Sequence, residues 1–417
     1  MDRLIKQRRV VVTGIGILSP LGNTLETAWQ NLAAGKTGIA PIQRFDASNL
    51  EVRFAGEVKD FNPEDYMARR DVRRTDRAAH MAIAAAKDAV LDSGLVVDDH
   101  NHYDVGCLVG TGIGGLESQM ATARTMIEKG PNQVSPFAIT SSIPDSACTQ
   151  ISMQYDLRGP VFSLSTACAT GNNSIGEATE IIRRGAARVM LAGSTEAGVV
   201  DVSIASFNNI MALSRRNAEP ERASRPFDKE RDGFVVGEGA AVLVLEDLDY
   251  ALERGAKIYA EILGYGHTSD AFHITAPRET GESAARAITV ALENAGVTAE
   301  QLDYINAHGT STPLNDKSET TAIKLALGAQ AYNIPISSTK SATGHLLAGA
   351  GAVEAVFTLM AIRNNFIPPT LNLDNPDPEC DLNYTPKVGV QREVNIAISN
   401  AFGFGGHNAV LVFGKYA

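Results

Sequence analysis

The sequence predicts an α/β protein made of two similar halves, each a mixed, mostly parallel sheet covered by helices. Three observations support this. Apolar strand-like runs closed by glycine alternate with Ala-rich helical stretches. The same succession of elements recurs later in the chain, as in a duplicated core. The closest internal match, STACATG at 165–171 against STKSATG at 338–344, agrees at five of seven positions.

Taken in order, RRVVVTGIG at 8–16 reads as a buried strand closed by glycines, and IYAEILGYG at 258–266 reads the same way. Each leads to an Ala-rich helix stopped by glycine, at 78–94 and 282–296. Short strands follow at 103–110 and 302–309. The matched heptapeptides come next, each after an apolar run (VFSL, IPIS) and before a glycine-studded helix. Finally 188–193 pairs with 394–399, and 240–246 with 408–413. These correspondences divide the chain into residues 1–256 and 257–417, related by a pseudo-twofold. The first half carries an insertion of roughly 50 residues between its first strand and its helix. The polar stretch 214–232 reads as a long surface loop.

Composition excludes several classes of function. A net charge of −11 argues against phosphate-neutralising nucleic-acid binding. The longest apolar run, near 349–362, is interrupted by Glu354, and the start MDRLIKQRRVVVTG holds no apolar leader. A soluble cytoplasmic protein that engages no membrane is expected. The four cysteines, Cys107, Cys148, Cys168 and Cys380, form no CxxC pair, so neither a zinc site nor a disulfide framework is expected. Cys107 and Cys148 read as buried structural thiols.

Ligands of open α/β sheets collect beyond the carboxyl ends of strands, and four unusual segments fall there. Cys168 follows a strand and opens a helix, where the positive end of the helix dipole favours thiolate over thiol. His308 lies in NAHGTST after the strand LDYI, and His345 ends STKSATGH with Lys340 five residues before it. The glycine-rich NAFGFGGHN at 400–408 offers backbone N–H groups for an oxyanion, with Phe402 and Phe404 to close a pocket. His407, His267 and His273 are less persuasive, and the loop histidines His100 and His102 read as solvated. A thiol, two histidines and an N–H cradle fit chemistry on a thioester. A cysteine protease needs one histidine with an orienting Asn or Asp, and a dinucleotide fingerprint lacks its third glycine after Gly14 and Gly16.

Through STACATG, NAHGTSTP, STKSATGH with GAGAVEA, and NAFGFGGHN, the chain resembles the β-ketoacyl-acyl-carrier-protein synthases, most closely the type II elongation enzymes of bacterial fatty-acid synthesis. The resemblance implies a thiolase-like fold of duplicated αβαβα-type halves, a homodimer, and an acyl carrier protein as partner, with no cofactor or metal beyond the carrier's phosphopantetheine. It implies that Cys168 takes up the acyl group, while His308 and His345 assist decarboxylation of the malonyl unit and stabilise the enolate. Lys340 would support that pair, with Glu354 behind it. Cys168 and Phe404 would supply oxyanion N–H groups, Phe402 and Phe404 would gate the acyl tunnel, and Ile113 would line it. Thr275, Thr310 and Thr312 match positions around the pantetheine arm. Arg69, Arg70, Arg73 and Arg74, with Arg77 nearby, would meet the acidic carrier. A synthase of polyketide or other specialised lipid assembly would share these residues. A thiolase would need a second cysteine in the C-terminal glycine loop, which is absent. A non-catalytic partner subunit would have lost the nucleophile. Departures from the family pattern are Asp145 and Ser146, expected near the dimer interface and acyl pocket, and Asn172 and Asn173 after the nucleophile.

Overall fold

The computed structural model describes residues 8–416. The reading that the chain starts without an apolar leader falls largely on residues 1–7, which lie outside the described residues. The first half contributes strands β1 (Val10–Leu18), β2 (Val105–Gly110), β3 (Val189–Glu196) and β4 (Gly239–Asp247), with helices α1 (Arg77–Ser93) and α2 (Thr170–Arg183). The second contributes β5 (Ala260–Ser269), β6 (Tyr304–Asn306), β7 (Ile336–Ser337), β8 (Ile396–Gly403) and β9 (His407–Gly414). Its helices are α3 (Glu282–Ala295), α4 (Pro313–Leu327) and α5 (Ala350–Asn364).

These strands form one mixed sheet in the order β2-β3-β4-β1-β5-β9-β8-β6-β7. The two halves join at its middle, where β1 and β5 pair antiparallel with Val10 opposite Ile262 and Val12 opposite Ala260. On either side of that crossing the strand order corresponds, β4, β3 and β2 on one side matching β9, β8 and β6 on the other. Parallel pairing is held to the flanks, in β2–β3, β8–β6 and β6–β7. The pairs between them are antiparallel; β8 and β9 must be so, because the tight turn 404–406 joins them as a hairpin. The counterpart of β7 in the first half is a single parallel bridge between Cys107 and Val161.

Helices cover both faces, so the central strands are largely buried; β1 is buried at all nine positions. Glycine sets how closely the helices approach. A Cβ on Gly14 or Gly16 would lie 2.2 or 1.9 Å from the carbonyl oxygens of Ala89 and Ala85 in α1. Gly264 and Gly266 make the same approach to Ala291 and Ala287 in α3, at 2.2 and 2.3 Å. The repeated G-x-G is therefore a packing device. At the centre α2 and α5 touch end to end, a Cβ on Gly171 falling 2.3 Å from the Ala352 nitrogen.

The 214–232 stretch departs from a plain surface loop, since residues 223–228 are buried. Paired charges make this tolerable. Arg225 Nε lies 3.0 Å from Asp228 Oδ1, and Arg231 Nη1 lies 2.5 Å from Asp377 Oδ2.

Candidate active site

Cys168 is placed by a sharp turn. Residues 161–166 run alongside β2, then Ala167 takes φ 49° and the chain enters α2 at Thr170. The Sγ atom lies 3.0 Å from His345 Nε2 and accepts the backbone N–H of Phe404. Burial pushes the thiol up to about 12, with the Lys340 charge pulling the other way. Burial therefore opposes the thiolate that the helix start favours. A helix terminus is worth at most about 2 kcal/mol, roughly 1.5 pKa units, and burial outweighs it. The buried Cys168 sulfur faces an imidazole nitrogen.

His345 sits where the internal repeat breaks down. After Cys168 the helix begins almost at once, whereas after STKSATG the chain detours through 344–349 before α5 starts. That detour is clamped: His345 N–H donates to Val235 O at 2.7 Å and its carbonyl accepts Gly237 N–H at 2.8 Å. Its ring stands edge-on to Phe234, centroids 5.3 Å apart. His308 follows β6, with the backbone N–H groups of His308 and Gly309 donating to Glu319 at 2.8 and 2.7 Å. The two imidazole centroids are 5.3 Å apart, and Phe402 packs 5.7 Å from His308. Burial first, then the Lys340 charge, holds both imidazoles well below their ordinary value, so both are neutral. Among the described residues neither Nδ1 meets a hydrogen-bond partner. Lys340, 1% exposed, places Nζ 2.5 Å from Glu354 Oε1. Burial pushes Glu354 up to about 7 against that pull, and Glu319 to about 7 likewise.

Cys168, His308 and His345 line one cavity of about 420 Å³ together with Ile113, Thr275, Thr310, Thr312, Phe402 and Phe404. The Thr310 and Thr312 hydroxyls are 3.0 Å apart, and the Phe404 ring packs against Phe207 at 6.4 Å. Lys340 and Glu354 stand behind the histidines. Gly405 and Gly406, at φ 83° and 79°, form the turn that carries Phe404 to Cys168.

Arg69, Arg70, Arg73 and Arg74 are exposed, on or just after the short helix Arg69–Val72, and lie outside the cavity. Arg77 leaves this basic group: it turns inward to grip fully buried Glu238 at 2.7 and 3.0 Å. His102 also departs from the solvated reading. Its side chain is 8% exposed, and Nδ1 lies 3.3 Å from Asp156. Asp145 and Ser146 do not line the cavity of this chain; they open the helix Ser146–Tyr155. Asn172 and Asn173 have structural tasks. Asn172 Nδ2 donates to the carbonyls of Ser399 and Ala409, tying α2 to the other half, and Asn173 Nδ2 donates to Thr166 Oγ1 at 2.7 Å. Cys107 and Cys148 are buried, as expected.

Sequence reasoning passed over Glu319, Asn400 and Glu196. Asn400 Nδ2 donates to Glu319 at 3.1 Å, completing the acceptor load of that carboxylate. Glu196 ends β3 in LAGSTEAG, and the strand-end rule that singles out His308 also points to it. Among the described residues no helix is long and apolar enough to cross a membrane.

Residues 7–251 match the model of the beta-ketoacyl synthase N-terminal domain, and residues 259–374 that of the C-terminal domain. The chain is 51% identical to 3-oxoacyl-(acyl-carrier-protein) synthase 2 of Synechocystis, covering 99% of each. It is 48% identical to the protein of the same name from Vibrio cholerae, covering 98% of this chain and 99% of that one. Among solved structures, a beta-ketoacyl synthase from Burkholderia phymatum superposes with a TM-score of 0.91 at 36% identity, covering 98% of this chain and 100% of that one. A type II PKS acyl-carrier protein in complex with its ketosynthase bound to the hexaketide gives 0.91 at 35%, covering 99% of this chain and 100% of that one.

Proposed function

The chain belongs to the beta-ketoacyl synthase family, and from that premise we propose that it elongates fatty acids by decarboxylative Claisen condensation on an acyl carrier protein. The single observation that carries the reading is the Cys168–His345 contact at 3.0 Å, with a second neutral imidazole across the same cavity.

In the first half-reaction the Cys168 sulfur attacks the thioester carbonyl of an acyl-carrier protein. The new C–S bond forms, the carrier C–S bond breaks, and the thiol proton passes by way of His345 to the departing carrier sulfur. Backbone N–H groups of Cys168 and Phe404 stabilise the oxyanion. In the second, the carboxylate of malonyl-carrier protein leaves as carbon dioxide and its electron pair becomes an enolate. Neutral His308 and His345 donate hydrogen bonds to that developing charge, a role in which each donor is worth about 10²–10³ in rate. The enolate carbon then attacks the Cys168 thioester, releasing β-ketoacyl-carrier protein; the sulfur recovers a proton from solvent. Burial, helped by the charge of Lys340 anchored on Glu354, keeps both imidazoles neutral. No resident cofactor is called for, because each substrate arrives on the carrier's phosphopantetheine, held past Thr275, Thr310 and Thr312.

Identity of 47–51% to enzymes named 3-oxoacyl-(acyl-carrier-protein) synthase 2, against 35% for the ketosynthase of a type II PKS, supports fatty-acid elongation over specialised lipid assembly. The exposed arginines at 69, 70, 73 and 74 supply the positive surface an acidic carrier needs. The exposed apolar side chains of Ile127, Ile139, Met153 and Phe162 support a homodimer, and the cytoplasm is the proposed site of action. Intact-mass spectrometry of the enzyme mixed with acyl-carrier protein tests the scheme. An acyl adduct on the wild type and none on Cys168→Ala is expected, with labelled carbon dioxide released from malonyl-carrier protein. Acylation that persists in Cys168→Ala refutes the assignment.

A further inference from the structure

Glu196 closes β3 at the cavity wall, and no step of the condensation uses it. It is 1% exposed yet lines the cavity with Cys168, Ile113 and Ala348. Its carboxylate ties together two separate turns. From the turn after β2, Thr111 Oγ1 donates to Oε1 at 2.9 Å and Gly112 N–H to Oε2 at 2.8 Å, with Ile113 N–H donating as well. From the turn before α5 comes the N–H of Ala348. These four donors match the roughly four lone-pair sites of a carboxylate. The fit is tight, since a Cβ on Gly112 would fall 2.7 Å from Oε2. Ile113 and Leu347, at the ends of the two clamped turns, both project to the cavity, and Leu347 is held at φ 52°.

We infer that Glu196 is a positioning residue that sets the spacing between the Ile113 turn and the Leu347 turn, and thereby selects acyl groups by length. The inference rests on the acyl-transfer reading of Cys168. Glutamine at this position keeps the shape but replaces one acceptor oxygen with an amide that meets N–H donors head-on. The two turns then separate and the cavity admits longer chains. An apolar pocket discriminates a methylene by about 10-fold or more, so a small displacement is readable.

The experiment follows Cys168 acylation by butyryl- and dodecanoyl-carrier protein with intact-mass spectrometry. Relative to wild type, the dodecanoyl-to-butyryl rate ratio is expected to rise about 10-fold in Glu196→Gln. Thr111→Val removes one donor, keeps the carboxylate, and is expected to shift the ratio in the same direction by less. An unchanged or lowered ratio overturns the inference. Should Glu196→Gln fail to fold, Thr111→Val decides by the same criterion. Wild-type enzyme acylated by neither carrier would instead overturn the acyl-transfer reading, a distinct outcome.

Discussion

Replacing Glu319 with alanine should separate the two half-reactions and cost a calculable amount of stability. The carboxylate is 1% exposed and accepts three donors: His308 N–H at 2.8 Å, Gly309 N–H at 2.7 Å and Asn400 Nδ2 at 3.1 Å. Alanine leaves all three buried and unpaired, at about 1–3 kcal/mol each before relaxation, so about 3–5 kcal/mol is expected overall. A melting entropy of about 0.9 kcal/mol/K for a chain of this size converts that to roughly 3–6 °C in Tm. Because burial pushes Glu319 up to about 7, above its unfolded value, its protonation favours the folded state. That contribution is present below the unfolded pKa and fades as pH rises toward 7. The Tm deficit of Glu319→Ala should therefore be larger near about pH 5 than near about pH 8. Catalytically, the loosened His308 turn should slow carbon dioxide release by about 10². Cys168 is held by the other half and should still acylate. Calorimetry at the two pH values and the two half-reaction assays decide this. An unshifted Tm, or equal losses in both half-reactions, would refute the reasoning.

Three further outcomes follow. Alkylation of Cys168 by iodoacetamide should still be climbing at about pH 9, since burial pushes the thiol up to about 12 and only the thiolate reacts; a plateau below about pH 8 would show a stabilised thiolate. Arg73→Glu with Arg74→Glu should raise KM for acyl-carrier protein, most at low salt; an unchanged KM removes these residues from the docking surface. Gly171→Val should destabilise by about 3 kcal/mol or more, because its side chain would run into α5; a soluble variant with wild-type Tm would contradict the packing.

The internal repeat and the place of Cys168 in the cavity were legible because both are local patterns. Glycine spacing in β1 and β5 reports a helix one contact away, and a cysteine between an apolar run and a helix declares its own position. His308, His345 and Lys340 follow from the same strand-end rule. What escaped depends on partners far off in the chain. Nothing near Arg77 distinguishes it from Arg73, yet one grips Glu238, 161 residues away, and the other faces solvent. Buried Arg225 and Arg231 look like loop composition until Asp374, Asp316 and Asp377 are placed beside them. His102 read as solvated for the same reason. The thiol's environment is another such property: a helix dipole can be inferred from sequence, while the burial that opposes it cannot.

The break in the repeat explains how two similar halves make one asymmetric site. Packing is conserved between them: Gly14 and Gly16 meet α1 as Gly264 and Gly266 meet α3. Divergence is confined to the turns at the strand ends, where one half enters its helix directly after Cys168 and the other detours to present His345. The detour ends at the start of α5, and the amino termini of α2 and α5 touch through Gly171, Asn172, Gly351 and Ala352. Two positive helix ends therefore converge near the reacting sulfur. With burial already keeping that sulfur protonated at rest, their field has no resting anion to stabilise. It acts instead on charge that appears during reaction, the thioester oxyanion and then the enolate, which is where preorganised dipoles lower a barrier rather than deepen a ground state.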